Sequence, residues 1–274
     1  MAADLRNARR FDLHMHSDQS DGKWSVDEVI RRAAISGLDV VALTDHDLSP
    51  TVDPKDYVID GHRVRLLAGA EVTGVHEGRE YHLLVYFPGD VPQGFHDFCR
   101  GQTRGRADRY ATAVRNLGLE GLQPPSAEAQ RGDRALTRHH LARELVRAGH
   151  AESLADAFAR FVGGAHGRVP NIGTPFVDAI RIARGFGGVT SWAHPPLPAL
   201  RAYLPTFVAA GLQGVEGLRP MQSSSTRKAV RKLARKHGLF LTGGSDWHGW
   251  TDAELGLFSA QRSQLQGFLD ALAA

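Results

Sequence analysis

Several short apolar runs in this chain stop abruptly at ionisable residues, and this feature limits the folds that the chain can adopt. Val40 to Leu43 form a continuous apolar run that ends at Thr44-Asp45-His46-Asp47. A strand that is apolar at every position is typical of a parallel sheet covered on both faces. The run Leu66 to Ala70 ends in the same manner at Glu71. The pattern therefore predicts an α/β fold that gathers polar side chains at one end of its sheet.

The order of the predicted elements is that of an α/β barrel with a helical interruption. Predicted strands alternate with helices, such as the helix that Ser25 caps and Gly37 ends. Between residues 101 and 164 the pattern is mostly helical. The predicted strands are residues 11–16, 40–43, 64–70, 81–87, 188–192, 214–216 and 240–242. We therefore predict a barrel formed by residues 1–100 and 165–274, with a small helical subdomain inserted at 101–164.

The composition excludes several classes of protein. No run of about 18 apolar residues is present, so no transmembrane helix and no membrane partner are predicted. The N-terminal residues lack the apolar segment of a secretory signal, and a single cysteine, Cys99, favours a reducing compartment. An excess of 33 basic over 30 acidic side chains is too small to indicate nucleic-acid binding, although residues 100–150 contain ten arginines and five acidic residues. We therefore expect a cytoplasmic protein with a locally basic insertion.

Six histidines and three carboxylates lie at or just beyond the ends of predicted strands. Residues i and i+2 of a strand face the same side, so His14 and His16 can reach one ion, as can Asp246 and His248. A carboxylate such as Glu71 can bridge two cations. The nine candidate ligands are His14, His16, Asp21, His46, Glu71, His82, His194, Asp246 and His248. Nine ligands exceed what one ion takes, so we predict two or three divalent ions, and the ligand types suit zinc, manganese or iron.

Taken singly, some of these positions also have a structural interpretation. Asp21 precedes Gly22 and can be a turn residue, while Asp47, beside His46, can cap the next helix. His82 can be a hydrogen-bonded core histidine. The same chemistry at several separate strand ends favours a metal site, because the C-terminal ends of barrel strands share one face.

These segments resemble the PHP family, which is named for polymerase and histidinol phosphatase domains. The matching segments are Asp12–Ser17, Ser20–Gly22, Leu43–Asp47, Gly69–Glu71, Tyr81–His82, Ala193–Pro195 and Gly244–His248. They follow the family's order and extend over almost the whole chain. The resemblance implies a distorted barrel of the (β/α)7 type, with a trinuclear metal centre at its C-terminal face.

The resemblance also implies how the ligands are shared. By that comparison, the first ion would be bound by His14, His16, Glu71 and Asp246. Glu71 would bridge to a second ion, which His82 and His194 also bind, and the third ion would be held by Asp21, His46 and His248. Glu216 ends a short strand too, but it has no counterpart among the family's ligands.

The predicted insertion resembles one subgroup of the family, the stand-alone nucleotide phosphoesterases and 5′-to-3′ exoribonucleases. The matching residues are Ala135–Arg143, with Gly163-Gly164 downstream. We therefore expect hydrolysis of nucleotide phosphate esters: a nucleoside bisphosphate or mononucleotide phosphatase, or a 5′-to-3′ exonuclease on short single-stranded RNA, with no obligate protein partner. In such a centre, water that bridges two ions attacks phosphorus in line.

We predict that residues of the insertion select the substrate and assist departure of the leaving group. Arg134 and Arg138 are predicted to bind substrate phosphate, because arginine binds phosphate oxygens in a bidentate manner. His140 is predicted to contact the phosphate and, as the candidate catalytic residue, to assist departure of the leaving group. The arginines Arg104, Arg106 and Arg147 are expected only to solvate the helical subdomain.

Three alternatives remain open on the sequence. Histidinol phosphate is a possible substrate within the same chemistry, but the insertion favours nucleotides. An amidohydrolase that cleaves C–N bonds is a second possibility, although no lysine ends a barrel-like strand here. A non-catalytic binding module is a third, and its expected sign would be lost ligands. Two proline-rich loops, Pro50–Pro54 and Pro195–Pro198, depart from the subgroup and leave the exact substrate open.

Overall fold

One mixed sheet organises the chain in the computed structural model. The structure describes residues 5, 7–119, 121–124, 126, 128, 133–163 and 167–274, so Gly164, which ends the predicted insertion, lies outside the described residues. The strands are β1 (Arg10–Met15), β2 (Val40–Leu43), β3 (Asp56–Ile59), β4 (His62–His76), β5 (Arg79–Phe87), β6 (Thr174–Pro175), β7 (Val189–Trp192), β8 (Gly214–Leu218), β9 (Phe240–Gly243) and β10 (Ala260–Gln261).

The sheet curls into a nearly closed barrel. Its strand order is β10-β1-β2-β4-β5-β7-β8-β9, and β3 and β6 both pair with β4. Beyond the end of β9 the chain returns to β1, where Asp246 N–H donates to His14 O at 2.8 Å and His16 N–H donates to Trp247 O at 2.9 Å. Strand β5 runs antiparallel to both β4 and β7. The predicted distorted α/β barrel is therefore confirmed.

Helices pack against both faces of the sheet and form the region between β5 and β6. The helices are α1 (Val26–Ile35), α2 (Gln93–Leu117), α3 (Arg138–Arg147), α4 (Leu154–Ala157), α5 (Phe176–Gly185), α6 (Leu197–Ala209), α7 (Ser224–Lys236) and α8 (Gln266–Ala273). Ser25 caps α1 as predicted, accepting from Glu28 N–H. No helix among the described residues is long and apolar enough to span a lipid bilayer.

The helical region has a hydrophobic cluster of its own. Tyr110 and Val114 of α2 pack with Leu141 and Leu145 of α3. Helix α2 begins at Gln93 and therefore runs through the predicted boundary at residue 101. The assignment of 101–164 as a separate insertion stays a prediction.

Alternation along β4 and β5 separates the two faces of the barrel wall. Leu67 of β4 and Leu84 and Tyr86 of β5 pack in one cluster with residues of α8, whereas the intervening apolar residues of both strands pack against α5 and α6. Tyr86 Oη donates to Leu13 O at 2.8 Å, which joins β5 to β1. Because side chains alternate along a strand, Glu71 lies on the same side of β4 as Leu67.

The hairpin between β4 and β5 is longer than the sequence pattern indicates. Its two turn residues, Glu77 and Gly78, have φ values of 47° and 71°. Two positive φ values favour a tight turn that keeps both strands paired up to the turn. In this register Thr73 lies opposite His82, so Glu71 and His82 come to the same level of the barrel.

A buried ion pair joins α2 to the barrel and overturns two expectations. Asp47 Oδ2 lies 2.6 Å from Arg106 Nε, and both side chains are buried. Asp47 Oδ1 accepts from Thr73 N–H at 2.6 Å. The next element after Asp47 is β3, so its prediction as a helix cap is wrong. The expectation that Arg106 solvates a helical surface is wrong as well, because its guanidinium bridges α2 to β4 through Asp47 and Thr73.

Removal of one partner of this pair should destabilise the protein strongly. Asp47→Ala leaves Arg106 buried and uncompensated, which should lower the free energy of unfolding by about 3–5 kcal/mol in urea denaturation. The double substitution Asp47→Leu with Arg106→Met should recover part of that loss, since no unpaired charge remains. Asp178→Ala is the control, because its pair with Arg181 is exposed and should contribute little. Equal effects of Asp47→Ala and Asp178→Ala would contradict this account.

Candidate metal centre

The carboxylate of Glu71 is the centre of the polar cluster inside the barrel mouth. It is fully buried. Its Oε1 atom lies 3.2 Å from His14 Nε2, 3.1 Å from His82 Nδ1 and 3.0 Å from His194 Nε2. Its Oε2 atom lies 2.9 Å from His46 Nδ1. One carboxylate therefore contacts imidazoles from four different parts of the chain.

All nine candidate ligands belong to one connected cluster that contains this carboxylate. They form four overlapping groups whose ligand atoms lie within 4.8 Å of one another. The groups are His16, Asp21, His46 and His248; His14, His16 and Asp246; His14, Glu71 and His194; and His46, Glu71 and His82. Shared members mean that neighbouring groups can hold ions close together, as two-metal sites do.

Some of these candidate ligands lie at the C-terminal ends of strands, and others lie within strands. His14 and His16 lie at the end of β1, His194 follows β7, and Asp246 and His248 follow β9, as the sequence predicts. Glu71 instead lies inside β4, and His82 lies near the start of β5. The prediction that every ligand lies at a C-terminal strand end is therefore wrong for these two. Because β5 is antiparallel to its neighbours, its first residues reach the same end of the barrel.

The backbone around the ligands is held in conformations that are uncommon for residues other than glycine. His194 has φ 30° and Asp246 has φ 55°. Such geometry costs free energy and persists where the surrounding structure enforces it. Gly244 is needed for close approach, since a Cβ atom there would lie 2.2 Å from His14 Cβ. The segment after β9 can therefore pass directly against β1 and present Asp246.

The atoms of the cluster are arranged to bind cations. His46 Nδ1 and Glu71 Oε2 are 2.9 Å apart. Both are buried, yet neither atom makes a hydrogen bond within the described part of the chain. A buried polar atom that makes no hydrogen bond carries a desolvation cost that a bound cation would remove. The donor set of imidazole nitrogens and carboxylate oxygens fits zinc, manganese or iron ions.

Electrostatics keep the carboxylates ionised. Burial opposes charge on Asp21, Glu71 and Asp246, but neighbouring histidines hold the pKa of each carboxyl well below its usual range. Burial, with repulsion from His248 and His46, lowers the pKa of His16 to about 4. His16 is therefore neutral at pH 7, whereas, despite burial, the nearby carboxylates raise the pKa of His14 and His82, and that of His248 to about 9. A metal ion binds neutral imidazole and ionised carboxylate, so ion binding would compete with protons on these three histidines.

A second layer of charged side chains orients the ligands, and the sequence analysis missed it. Glu216 is buried, and its Oε1 atom lies 2.9 Å from His14 Nδ1 while Oε2 accepts from His194 N–H at 2.8 Å. Arg219 Nη2 donates to Asp246 Oδ2 at 3.1 Å. A carboxylate on the far nitrogen of a ligating histidine fixes its tautomer and orientation. Glu216 belongs to none of the four ligand groups, yet it contacts two of the candidate ligands, which the sequence analysis did not predict. The sequence did carry a signal for this role of Glu216, namely an acidic residue among the apolar residues of β8.

The three residues assigned to substrate binding lie outside the four ligand groups. Arg134 Nη2 pairs with Asp18 Oδ2 at 2.9 Å, and Arg138 Nη1 pairs with Glu80 Oε2 at 2.9 Å. His140 Nδ1 accepts from Thr137 N–H at 3.1 Å at the start of α3. Burial lowers the pKa of His140 to about 4.

Comparison with known proteins gives a consistent picture. The PHP domain family matches residues 12–156. The chain is 31% identical over 261 residues to the 5′-3′ exoribonuclease Rnm of Escherichia coli, covering 90% of this chain and 87% of that protein. It is 28% identical to the 3′,5′-nucleoside bisphosphate phosphatase of Chromobacterium violaceum, covering 87% of both chains. A solved Bifidobacterium adolescentis structure, described as a candidate metal-dependent phosphoesterase, superposes with a TM-score of 0.72 at 25% identity, covering 96% of this chain and 95% of that one.

Substitution of three glutamates should distinguish a metal ligand (Glu71) from a residue that orients a ligand (Glu216) and from a surface residue (Glu254). Glu71→Gln keeps the shape of the side chain but removes the central charge, so bound metal and turnover should fall to background. Glu216→Gln should lower metal affinity or kcat/KM by about 10- to 100-fold, since it weakens the support of His14. Glu254→Gln is the control, because Glu254 is exposed. Elemental analysis and kinetics on folded protein measure both effects, and equal losses for Glu71→Gln and Glu254→Gln would disprove the assignment.

Proposed function

Because the chain belongs to the PHP domain family of metal-dependent phosphoesterases, we propose that it hydrolyses phosphate esters of nucleotides. Its substrates would be short 5′-phosphorylated RNA and nucleoside 3′,5′-bisphosphates, as the names of the Escherichia coli and Chromobacterium violaceum relatives suggest. The observation that carries the proposal is that all nine candidate ligands fall into four overlapping groups, two of which share the buried Glu71. A binding module without catalytic function would not need this complete set.

We propose that the cluster holds two or three divalent ions, with manganese, zinc or iron as candidates. The proposed sharing follows the family resemblance and is compatible with the four groups of ligand atoms. His14, His16, Glu71 and Asp246 would bind one ion, Glu71, His82 and His194 a second, and Asp21, His46 and His248 a third. Divalent ions in such a centre acidify water and neutralise charge on phosphoryl oxygens.

The geometry of His140 supports a role as a neutral hydrogen-bond donor. Its Nδ1 atom accepts from Thr137 N–H, so the hydrogen of the neutral ring is on Nε2. Its pKa of about 4 keeps the ring uncharged at neutral pH. We propose that Nε2–H donates to a phosphoryl oxygen or to the leaving oxygen.

The two arginines differ in how readily they can leave their present partners. Arg134 and Asp18 are each about one-third exposed, and an exposed pair of this kind contributes little. Asp18 lies two residues after His16, so Arg134 is close to the rim of the metal centre. Arg138 shares the buried Glu80 with Arg109 and also donates to Asn171 Oδ1. We propose that Arg134 exchanges Asp18 for the second phosphate of the substrate, and that Arg138 supports it from the wall of the site.

A substrate panel tests the proposed function. Purified protein with added Mn²⁺ should release product from 5′-phosphorylated RNA oligonucleotides and from adenosine 3′,5′-bisphosphate more efficiently than from histidinol phosphate. A strong chelator should remove this activity, and His14→Ala should lack it while its circular dichroism spectrum stays native. Turnover restricted to histidinol phosphate or to an amide substrate would replace the proposal with one of those activities.

His140 is expected to act on turnover. His140→Ala should reduce kcat about 10- to 100-fold, which corresponds to the loss of one hydrogen bond to a charged group. His140→Asn should recover part of the loss, because its amide can still donate. His150→Ala is the control, since His150 is exposed at the end of α3. An unchanged kcat in His140→Ala would remove His140 from the reacting groups.

Arg134 is expected to act on substrate discrimination. Arg134→Ala should raise KM for adenosine 3′,5′-bisphosphate about 10-fold or more, with a smaller change for ribose 5-phosphate, which lacks the distal phosphate. Added salt should weaken the bisphosphate more than the monophosphate, because its binding depends on an additional exposed charge contact. Arg138→Ala should show the same selectivity with a smaller amplitude. Parallel losses on both substrates would show that neither arginine is a specificity device.

A further inference from the structure

One large aromatic side chain remains exposed beside the metal centre. Trp250 lies two residues after the candidate ligand His248, and 38% of its surface is exposed. Its indole Nε1–H donates to Asp21 O at 2.6 Å. Because Asp21 is itself a candidate ligand, this hydrogen bond holds the indole at the edge of the ligand cluster. An exposed tryptophan fixed in this way is already oriented before any ligand arrives.

Helix α3 packs against the indole. The Arg143 guanidinium carbon lies 4.5 Å from the centroid of the Trp250 ring, and the His139 ring centroid lies 5.2 Å away at an interplanar angle of 39°. Residues one helical turn apart lie on the same side of a helix. Because 38% of the Trp250 surface stays exposed beside these two contacts, part of the indole is open to solvent.

We propose that the exposed part of the Trp250 indole is a stacking platform for a nucleobase of the substrate held at the candidate metal centre. The inference rests on the proposed nucleotide phosphoesterase function, and it assigns the base-binding subsite of that same site. Every nucleobase presents a π-face, so an aromatic platform binds a nucleotide without regard to sequence. The cation–π contact of Arg143 with the indole helps to hold the ring in place.

The position of Trp250 fits this role. The candidate ligands and the proposed phosphate-binding residues Arg134, Arg138 and His140 offer polar contacts for phosphate. Trp250 adds a flat aromatic surface, and its link to Asp21 keeps that surface next to the candidate ligands. A base stacked there would orient the ribose and its phosphates toward the ligand cluster. The subsite would therefore favour nucleotides over other phosphate esters.

Paired substrates that differ only in the base test the proposal by kinetics. Trp250→Ala should raise KM for adenosine 3′,5′-bisphosphate about 5- to 150-fold, the range that base stacking on an aromatic side chain implies. KM for the abasic ribose 3,5-bisphosphate should change less than about 2-fold. Trp250→Phe keeps a ring but lacks the indole donor to Asp21, so it should restore most of the affinity for the nucleotide. Equal losses on both substrates, in both variants, would show that Trp250 only anchors Asp21, and the proposal would be overturned.

Fluorescence provides a second readout that does not need turnover. Adenosine 3′,5′-bisphosphate should quench the tryptophan emission of the wild-type protein, and the quench should be lost in Trp250→Phe. Trp24→Phe is the matched control, because Trp24 also has a guanidinium, that of Arg32, over its ring at 4.2 Å. A quench that persists in Trp250→Phe, or that disappears in Trp24→Phe instead, would overturn the platform.

The two proposals can fail separately. If the wild-type protein hydrolyses neither bisphosphate, the proposed function is wrong, and the fluorescence titration still decides whether a base stacks on Trp250. If both bisphosphates are hydrolysed with the same KM by the wild-type protein and by Trp250→Ala, the function holds and the stacking platform does not exist.

Discussion

The buried carboxylate of Glu71 is the constraint on which the mouth of the barrel depends. A carboxylate without solvent is costly unless opposite charges or hydrogen-bond donors surround it. Here the imidazoles of His14, His46, His82 and His194 lie within 3.2 Å of its oxygens, and they come from four separate parts of the chain. Satisfying this one charge therefore brings the surrounding strands to a common point. Divalent ions bound in the same cluster would compensate the negative charge further, so metal binding and the order of the barrel mouth are expected to be coupled.

The antiparallel strand β5 is the departure from a regular barrel that makes this convergence possible. A helical crossover after β4 would have placed the next strand parallel, with its first residues at the opposite end of the barrel. The tight turn at Glu77 and Gly78 instead returns the chain at once, so His82 faces the site from the beginning of its strand. The same turn lets β4 continue past Glu71, which fixes the glutamate in the middle of a paired strand and not at a frayed end.

The sequence was sufficient to predict the barrel and the candidate ligands, because both depend on patterns among residues that are close together in the chain. Apolar runs mark buried strands, and the pair His14 and His16 needs only the two-residue period of a strand. The second layer depends on distant contacts: His14 and Glu216 are 202 positions apart, and Asp47 and Arg106 are 59 apart. No local pattern reports such pairs. Arg106 did leave a weak signal, since Thr103, Arg106, Tyr110 and Ala113 form a stripe at helical spacing that is buried in α2.

Arg106 also connects the candidate metal centre with the region proposed to select the substrate. Its guanidinium pairs with Asp47 next to the candidate ligand His46, and its Nη1–H donates to Leu136 O at 3.2 Å. Leu136 immediately precedes Thr137, which caps α3, and α3 carries His140 and the residues that pack on Trp250. One buried side chain therefore links the start of α3 to the candidate metal ligands. Since removing one partner of a buried ion pair is costly, this link should hold α3, with His140 and the residues that pack on Trp250, in a defined position beside the cluster.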